Sequence, residues 1–465
     1  MRSSRRSGNS QAELFPRSKR PTIAIEDNHR LVRLTEQLDW TKFEEVVQEI
    51  RRRKLKSLAG RPPHLRALIG VLVLRATRKM TYRDTEDQVR HYAPARYLCG
   101  LTETEWTPDT NTIQDFEQLL GEDGVREVNE YAVKEAVALG LADSTVVVAD
   151  TTAQEAAIPY PNEMGLMSGF LAAIAAASSK AGKTLKRFAG KAKSLFQAGK
   201  AKLREYRLFA KEKTKNAKDA MTTKMAALVE TVQGKLGAAL KQAGRGANRL
   251  VGYGKVAYRK TVSLHQTMKK LLPQIRHWLK TGHVASGKII NLHIPELYSV
   301  VRGKVGKAVE FGLQWGFTRL RGGFLLARMA LSRSDCVDSK YAIQAVDDHI
   351  ALFGKPPRSY AYDRGGYSRE NVAALRQRGV KHVGLAPRGR AEWPVSTRMR
   401  KELVNERAQV EGGIGAVKSG RYGFNRPAAR SAEMIGVAGQ RAVLGFNLNK
   451  LVRELGKLEG IALVG

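Results

Sequence analysis

Three acids occupy positions from which a carboxylate could do chemistry. Asp150 closes the run Val146-Val147-Val148-Ala149, whose β-branched residues read as a buried strand delivering an acid to its C-terminal edge. Asp363 repeats the arrangement after Ser359-Tyr360-Ala361-Tyr362. Glu411 lies in a helical stretch, four residues after Arg407 and seven before Lys418, which puts all three on one face at 3.6 residues per turn. Three converging carboxylates suit two Mg²⁺ (or Mn²⁺) ions held about 3.5–4 Å apart for phosphoryl transfer. One ion activates the attacking water or 3′-hydroxyl and the other stabilises the leaving oxygen. Arg407 and Lys418 are then placed to contact phosphate. Each feature also has a plainer reading. A strand-end Asp is often a cap, and Arg and Glu four apart are a common surface pair. Gly412, Gly413 and Gly415 weigh against a plain surface helix, because each costs about 1 kcal/mol relative to Ala. A helix that keeps them needs close approach of another backbone, and DNA is a candidate. Glu402 and Glu406 are nearby substitutes for Glu411, with Glu406 on a different face.

The elements that must position these acids follow from periodicity. Residues 1–30 read as a basic disordered tail. Residues 31–140 read as an all-helical domain, a DNA-docking or a packing module. A buried helix runs through Leu65, Leu68, Ile69, Leu72 and Val73, and Thr81 with Asp84 forms a capping box. The turn Thr107–Thr112 feeds a further helix through Ile113, Phe116 and Leu120. Residues 141–465 form the second domain, interrupted at 166–290. That interruption carries 27 Lys and Arg against four acids, a net +23. Met221, Met225, Leu228, Val232, Leu236 and Leu240 predict long helices packed as a hairpin there. The insertion is either a solvated helical arm or one that contacts phosphate backbones; the one-sided charge favours the second.

Strand character returns at Val305–Leu320, turns at Gly322-Gly323 and comes back through Phe324–Leu331. A helix follows, capped by Asp338 or Ser339, faced by Ile343, Val346, Ile350 and Phe353, and ended at Gly354. After the strand ending in Asp363 come a helix from Ser368 to Gly379, a strand at Val380–Leu385, and helices over Lys401–Ser419 and Ala432–Leu455. With the insertion set aside the order is β-β-β-α-β-α-β-α. That is the order of an α/β, ribonuclease H-like (retroviral integrase-type) core, in which strands one and four are central neighbours. Asp150 and Asp363 are therefore expected side by side, with a helix bringing Glu411 to them.

Composition narrows the partners. Eighty Lys and Arg against 44 Asp and Glu give a net charge of +36, which points to a polyanion, first of all nucleic acid, with a ribosomal or anionic-membrane role as the plainer alternative. Two distant cysteines, Cys99 and Cys336, predict neither a disulfide nor a zinc site. The histidines, among them His265, His293 and His382, show no ligand spacing. The N-terminus lacks an apolar core for a signal peptide. The apolar runs Ala67–Leu74 and Phe170–Ala177 fall short of the ~20 residues of a membrane span. A cytoplasmic, nucleoid-associated protein is expected.

The chain resembles bacterial insertion-sequence transposases of the DDE type. The resemblance rests on Asp150, on Tyr362-Asp363-Arg364-Gly365-Gly366-Tyr367, and on Arg407-x₃-Glu411-x₆-Lys418. Val301–Lys304 and Glu310–Gly312 extend it. Members carry Tyr three residues before the Arg, where this chain has Val404, so any role of that hydroxyl is lost here or supplied elsewhere. The resemblance implies Mg²⁺-dependent cleavage at transposon ends and strand transfer into target DNA, by a multimer, expected to be a dimer, bound to terminal inverted repeats. The alternatives are a ribonuclease H-like nuclease without strand transfer, or an inactive DNA-binding derivative. A histone-like protein would explain the charge but not the two strand-end acids.

Overall fold

A central strand, β1 (Asp143–Glu155), separates a helical N-terminal region from the rest of the chain in a computed structural model. The structure describes residues 25–59, 63–101, 106–209, 214–304, 307–332, 334–335, 337–387 and 393–460. The expected tail lies outside the described residues up to residue 24. Its last residues are ordered instead: His29 is buried and its side chain caps the helix that starts at Arg30. Cys336 also lies outside the described residues, and Cys99 is buried and free.

The N-terminal region holds α1 (Arg30–Gln37), α2 (Trp40–Lys54), α3 (Leu65–Thr77), α4 (Tyr82–His91), α5 (Ala93–Leu98) and α6 (Thr110–Ala138). The apolar run Leu68–Leu74 makes α3 buried on every side, a central rod around which the others pack. The Thr81–Asp84 capping box starts α4 as expected. Helix α6 bends at Gly121, whose φ of 62° suits a residue without a side chain; Lys54 closes the bend by donating to the Leu120 carbonyl at 2.6 Å. Buried Glu117 on α6 accepts from Tyr82 at 2.8 Å and pairs with Arg75 and Arg441, both at 2.9 Å. Burial would raise this carboxyl, but Arg441 and Arg75 reverse the effect and hold it below the ordinary carboxylate range.

After β1 come α7 (Glu163–Ser178), α8 (Lys183–Lys191), α9 (Lys193–Phe209), α10 (Lys215–Gly244) and α11 (Gly252–Thr281). These enclose a core of their own, including Phe170, Val229, Val232, Leu236, Met268 and Leu271. Helices α10 and α11 are antiparallel: Gln233 donates to the His265 carbonyl at 2.9 Å, and Arg276 pairs with Glu230 at 2.6 Å. The hairpin is as the spacing predicts.

The chain then returns to the sheet through β2 (Tyr298–Lys304), β3 (Lys307–Arg321), β4 (Leu325–Ala330), α12 (Asp338–Phe353), β5 (Ser359–Tyr362), α13 (Arg369–Gln377), β6 (His382–Leu385), α14 (Thr397–Lys418) and α15 (Ala432–Glu459). The path through the sheet is β2-β3-β1-β5-β6, with β4 also on β3. Strands β1, β5 and β6 run parallel, while β3 is antiparallel to β1. The architecture is mixed α/β with a helical N-terminal region. Strand β2 was not expected: it pairs with the first half of β3, which is long enough to hold β4 on its second half.

Two further expectations change. Helix α12 is preceded by Val337 at the cap position, with no side-chain bond; Asp338 is instead its first residue, and its carboxylate is used elsewhere. Helix α15, expected within the second domain, packs along α6 and α3, so both ends of the chain build one helical layer. That layer shares one hydrophobic core with Val147, Ala149, Tyr360 and Tyr362 of the sheet. The apolar faces of β1 need cover on both sides: α12 packs on one and α14 on the other, while α6 and α15 of the helical layer meet the sheet at β4.

Candidate active site

Register brings the strand-end acids together. Val146 pairs with Ser359, Val147 with Tyr360 and Val148 with Ala361 on parallel strands. Two residues further on, Asp150 and Asp363 stand level, but only β5 ends there. Strand β1 stays paired with β3 as far as Glu155, so Asp150 lies within its strand and not at the strand end the sequence suggested, because the chain goes on alternating into a long antiparallel ladder. Val147, Val148 and Ala149 are fully buried, which fixes the strand and so the place of the acid. One oxygen of each carboxylate is held by backbone: Asp150 accepts from the Thr151 amide and Asp363 from the Gly365 amide, both at 2.8 Å.

A third acid joins them from an unexpected place. Asp338 Oδ1 accepts from the Thr151 hydroxyl at 2.7 Å and from the Tyr362 hydroxyl at 3.2 Å. Each donor is the neighbour of one of the two aspartates, so a single carboxylate ties the middle of β1 to the end of β5. Room for it comes from Gly365, where a Cβ would lie 2.4 Å from Asp338 Oδ2. The Gly-Gly after Asp363 therefore has a steric cause. In sequence Asp338 reads as a helix cap; only the placement of α12 over the strand ends shows otherwise.

The charges act on one another. The Asp150 carboxyl is pushed up to about 6, first by burial and then by the negative charges of Asp363 and Asp338; the Thr151 amide and Arg407 oppose the rise. Crowded hard-oxygen donors that lack enough counter-charge fit a divalent cation. Among the described residues, however, no three His, Cys, Asp or Glu side chains converge closely enough to hold one ion.

Helix α14 lies across the sheet. Val410, Ile414 and Val417 pack with Val148, Trp315 and Phe317. Glu406 accepts from Arg319 at 2.7 Å and Arg321 at 2.8 Å, and Glu402 also pairs with Arg321. Those two acids hold α14 to β3. At the other end, Lys418 donates to the Ala153 carbonyl at 2.8 Å and to the Thr152 hydroxyl at 3.1 Å. The face carrying Arg407, Glu411 and Lys418 thus runs from the surroundings of Asp150 toward the last residues of β1. Glu411 lies between them and is exposed. It is on the expected face but not gathered with Asp150 and Asp363. Gly412 and Gly415 face open space, and a Cβ on Gly413 would only touch Leu325, so nothing among the described residues requires the glycines.

A cleft of about 550 Å³ opens between α11, the loop after β1 and the start of α15, lined in part by Lys260, Asn291, His293 and Arg430. Burial, then the Lys260 charge, lower the His293 imidazole, so the cleft takes its positive charge from Lys260 and Arg430. Among the described residues no helix is long and apolar enough to cross a membrane.

No curated protein and no solved structure matches the chain. Residues 21–119, roughly a fifth of it, match the family model described as Transposase domain (DUF772). The matched stretch runs from ahead of α1 into α6, and it supports a transposition-related function with DNA as partner.

Proposed function

We propose that the chain is a DNA transposase that cleaves transposon ends and transfers the strands into target DNA. The observation that carries this reading is the level pairing of Asp150 and Asp363 on adjacent parallel strands, in a chain whose N-terminal region matches a transposase domain. A ribonuclease H-like assignment of the core draws support from the sheet, in which β1 lies between antiparallel β3 and parallel β5, with β6 beyond.

Asp150, Asp363 and Glu411 are the proposed ligands of Mg²⁺, or Mn²⁺, which would activate the attacking oxygen and stabilise the leaving one. The chain's own groups prepare the site. Arg407 offsets part of the carboxylate charge and faces an incoming phosphate. Lys418 is anchored to β1 through the Thr152 hydroxyl and the Ala153 carbonyl, which holds its end of α14 beside the strand for a proposed phosphate contact. Asp338 holds β1 and the end of β5 together through Thr151 and Tyr362. Exposed Glu411 completes the ligand set when α14 and DNA come together, which is why open space at Gly412 and Gly415 matters. The basic insertion grips phosphate backbone, and a dimer on paired terminal repeats is the proposed assembly.

Incubation with DNA carrying the ends that flank the reading frame tests this. Mg²⁺-dependent cleavage, lost in Asp150→Asn and Asp363→Asn, is expected; cleavage that survives both substitutions defeats the assignment. Joining of pre-cleaved 3′ ends to a target separates a transposase from a nuclease. A protein that binds the ends and never cuts them is the inactive derivative.

A further inference from the structure

The turn between α10 and α11 breaks the pattern of the arm it caps. Along both helices the apolar residues face inward: Met225, Val229 and Val232 on one, Leu264, Met268 and Leu271 on the other, all buried. At the turn this reverses. Val251 is 81% exposed and Tyr253 93%, with Val256 close behind at 63%. Exposed Arg245, Arg249, Lys255 and Arg259 surround them. No acid occurs anywhere between Glu230 and Glu296.

The turn is nonetheless placed by packing. Leu250 folds inward over Gly182, where a Cβ would lie 3.2 Å from Leu250 Cδ2. Helix α11 then begins at Gly252 with Val251 before it and no side-chain cap, so the first amides of a 30-residue helix open beside the exposed apolar residues. A second copy of the chain is a poor occupant, because the like charges would meet with no acids to pair them. A surface that offers negative charge and flat apolar faces together is nucleic acid, whose phosphates flank stackable bases.

We propose that this turn is a DNA wedge: Tyr253 and Val251 lie against bases, while Arg249, Lys255 and the α11 amides hold the adjoining phosphates. The proposal rests on the DNA reading above and goes beyond it, since a charged arm alone requires only backbone contact. An aromatic against a base changes affinity without changing the number of counterions released.

The test uses the full chain with fluorescent duplexes of the flanking DNA, some carrying 2-aminopurine, titrated from about 50 to 200 mM salt. Tyr253→Ala should weaken binding about tenfold with an unchanged salt slope and a lost 2-aminopurine signal, while Tyr253→Phe retains both. Arg249→Gln with Lys255→Gln should lower the slope by about 0.9 for each contact removed. Tyr253→Ala that binds and reports like the parent overturns the wedge. So does a parent that self-associates through this turn, seen as a mass change that Tyr253→Ala abolishes. Failure of the parent to bind any duplex would instead remove the DNA reading itself.

Discussion

The strand-end acids and the helical arm solve opposite electrostatic problems. Where β5 ends beside the middle of β1, burial and neighbouring like charges act together, and the Asp150 carboxyl rises to about 6 as a result. On the arm, like charges spread over long helices with a core of their own, where water and salt screen them. Sheet register gives the first arrangement its precision: a slip of one residue would turn Asp150 to the other face. The second needs no such precision, because phosphates repeat along any DNA and a helix can offer lysines at many heights. Chemistry is thus expected to reside in the sheet and affinity in the arm, joined at the cleft between them.

The largest break of that division comes from Asp150→Asn and Asp363→Asn, which should reduce cleavage to background while DNA affinity stays within a factor of about 3, or rises as negative charge is removed. A parallel collapse of binding would show that site and grip are not separate. Asp338→Ala should lower cleavage about 10–100-fold, whereas Asp338→Asn, which keeps an acceptor for Thr151 and Tyr362, should retain most of it. Equal losses would mean that the Asp338 charge itself is needed.

Stability gives a third measurement. The folded Asp150 carboxyl lies above its unfolded value of 3.8, so its contribution to stability is complete below that value and is lost as pH rises through about 6. Asp150→Asn should therefore stabilise the metal-free protein at pH 7.5 by up to about 3 kcal/mol, read as a higher Tm, and the gain should vanish near pH 4. For the same reason, half-saturation by Mg²⁺ should need less metal as pH rises from about 5 to 7, because the ion displaces a proton. The smallest effect belongs to the arm. Any single Lys→Gln on α10 or α11 should lower the salt slope by about 0.9 if it contacts phosphate, with no change in the cleavage rate of bound DNA.

Much of the frame was legible from local physics. A β-branched run leading to Asp150, a hairpin at Gly322-Gly323, the Thr81–Asp84 box and the 3.6 spacing of the arm depend on near neighbours in the chain, and all of them are present, although β1 runs on past Asp150 to Glu155. Apart from β2, so was the order of strands and helices that sets β1 beside β5. Asp338 was not legible in its role, because the first residue of a helix looks the same whether its carboxylate caps the helix or reaches across to Thr151 and Tyr362. The packing of α15 on α3 and α6 was hidden as well, since an apolar helix face does not name its partner. Glu411 marks the boundary most clearly. Spacing alone put it on a face with Arg407 and Lys418, because helical geometry is local. Its position relative to Asp150 and Asp363 depends on how α14 crosses the sheet, and that crossing is decided by Glu402, Glu406, Val410 and Lys418 meeting residues far away in the chain.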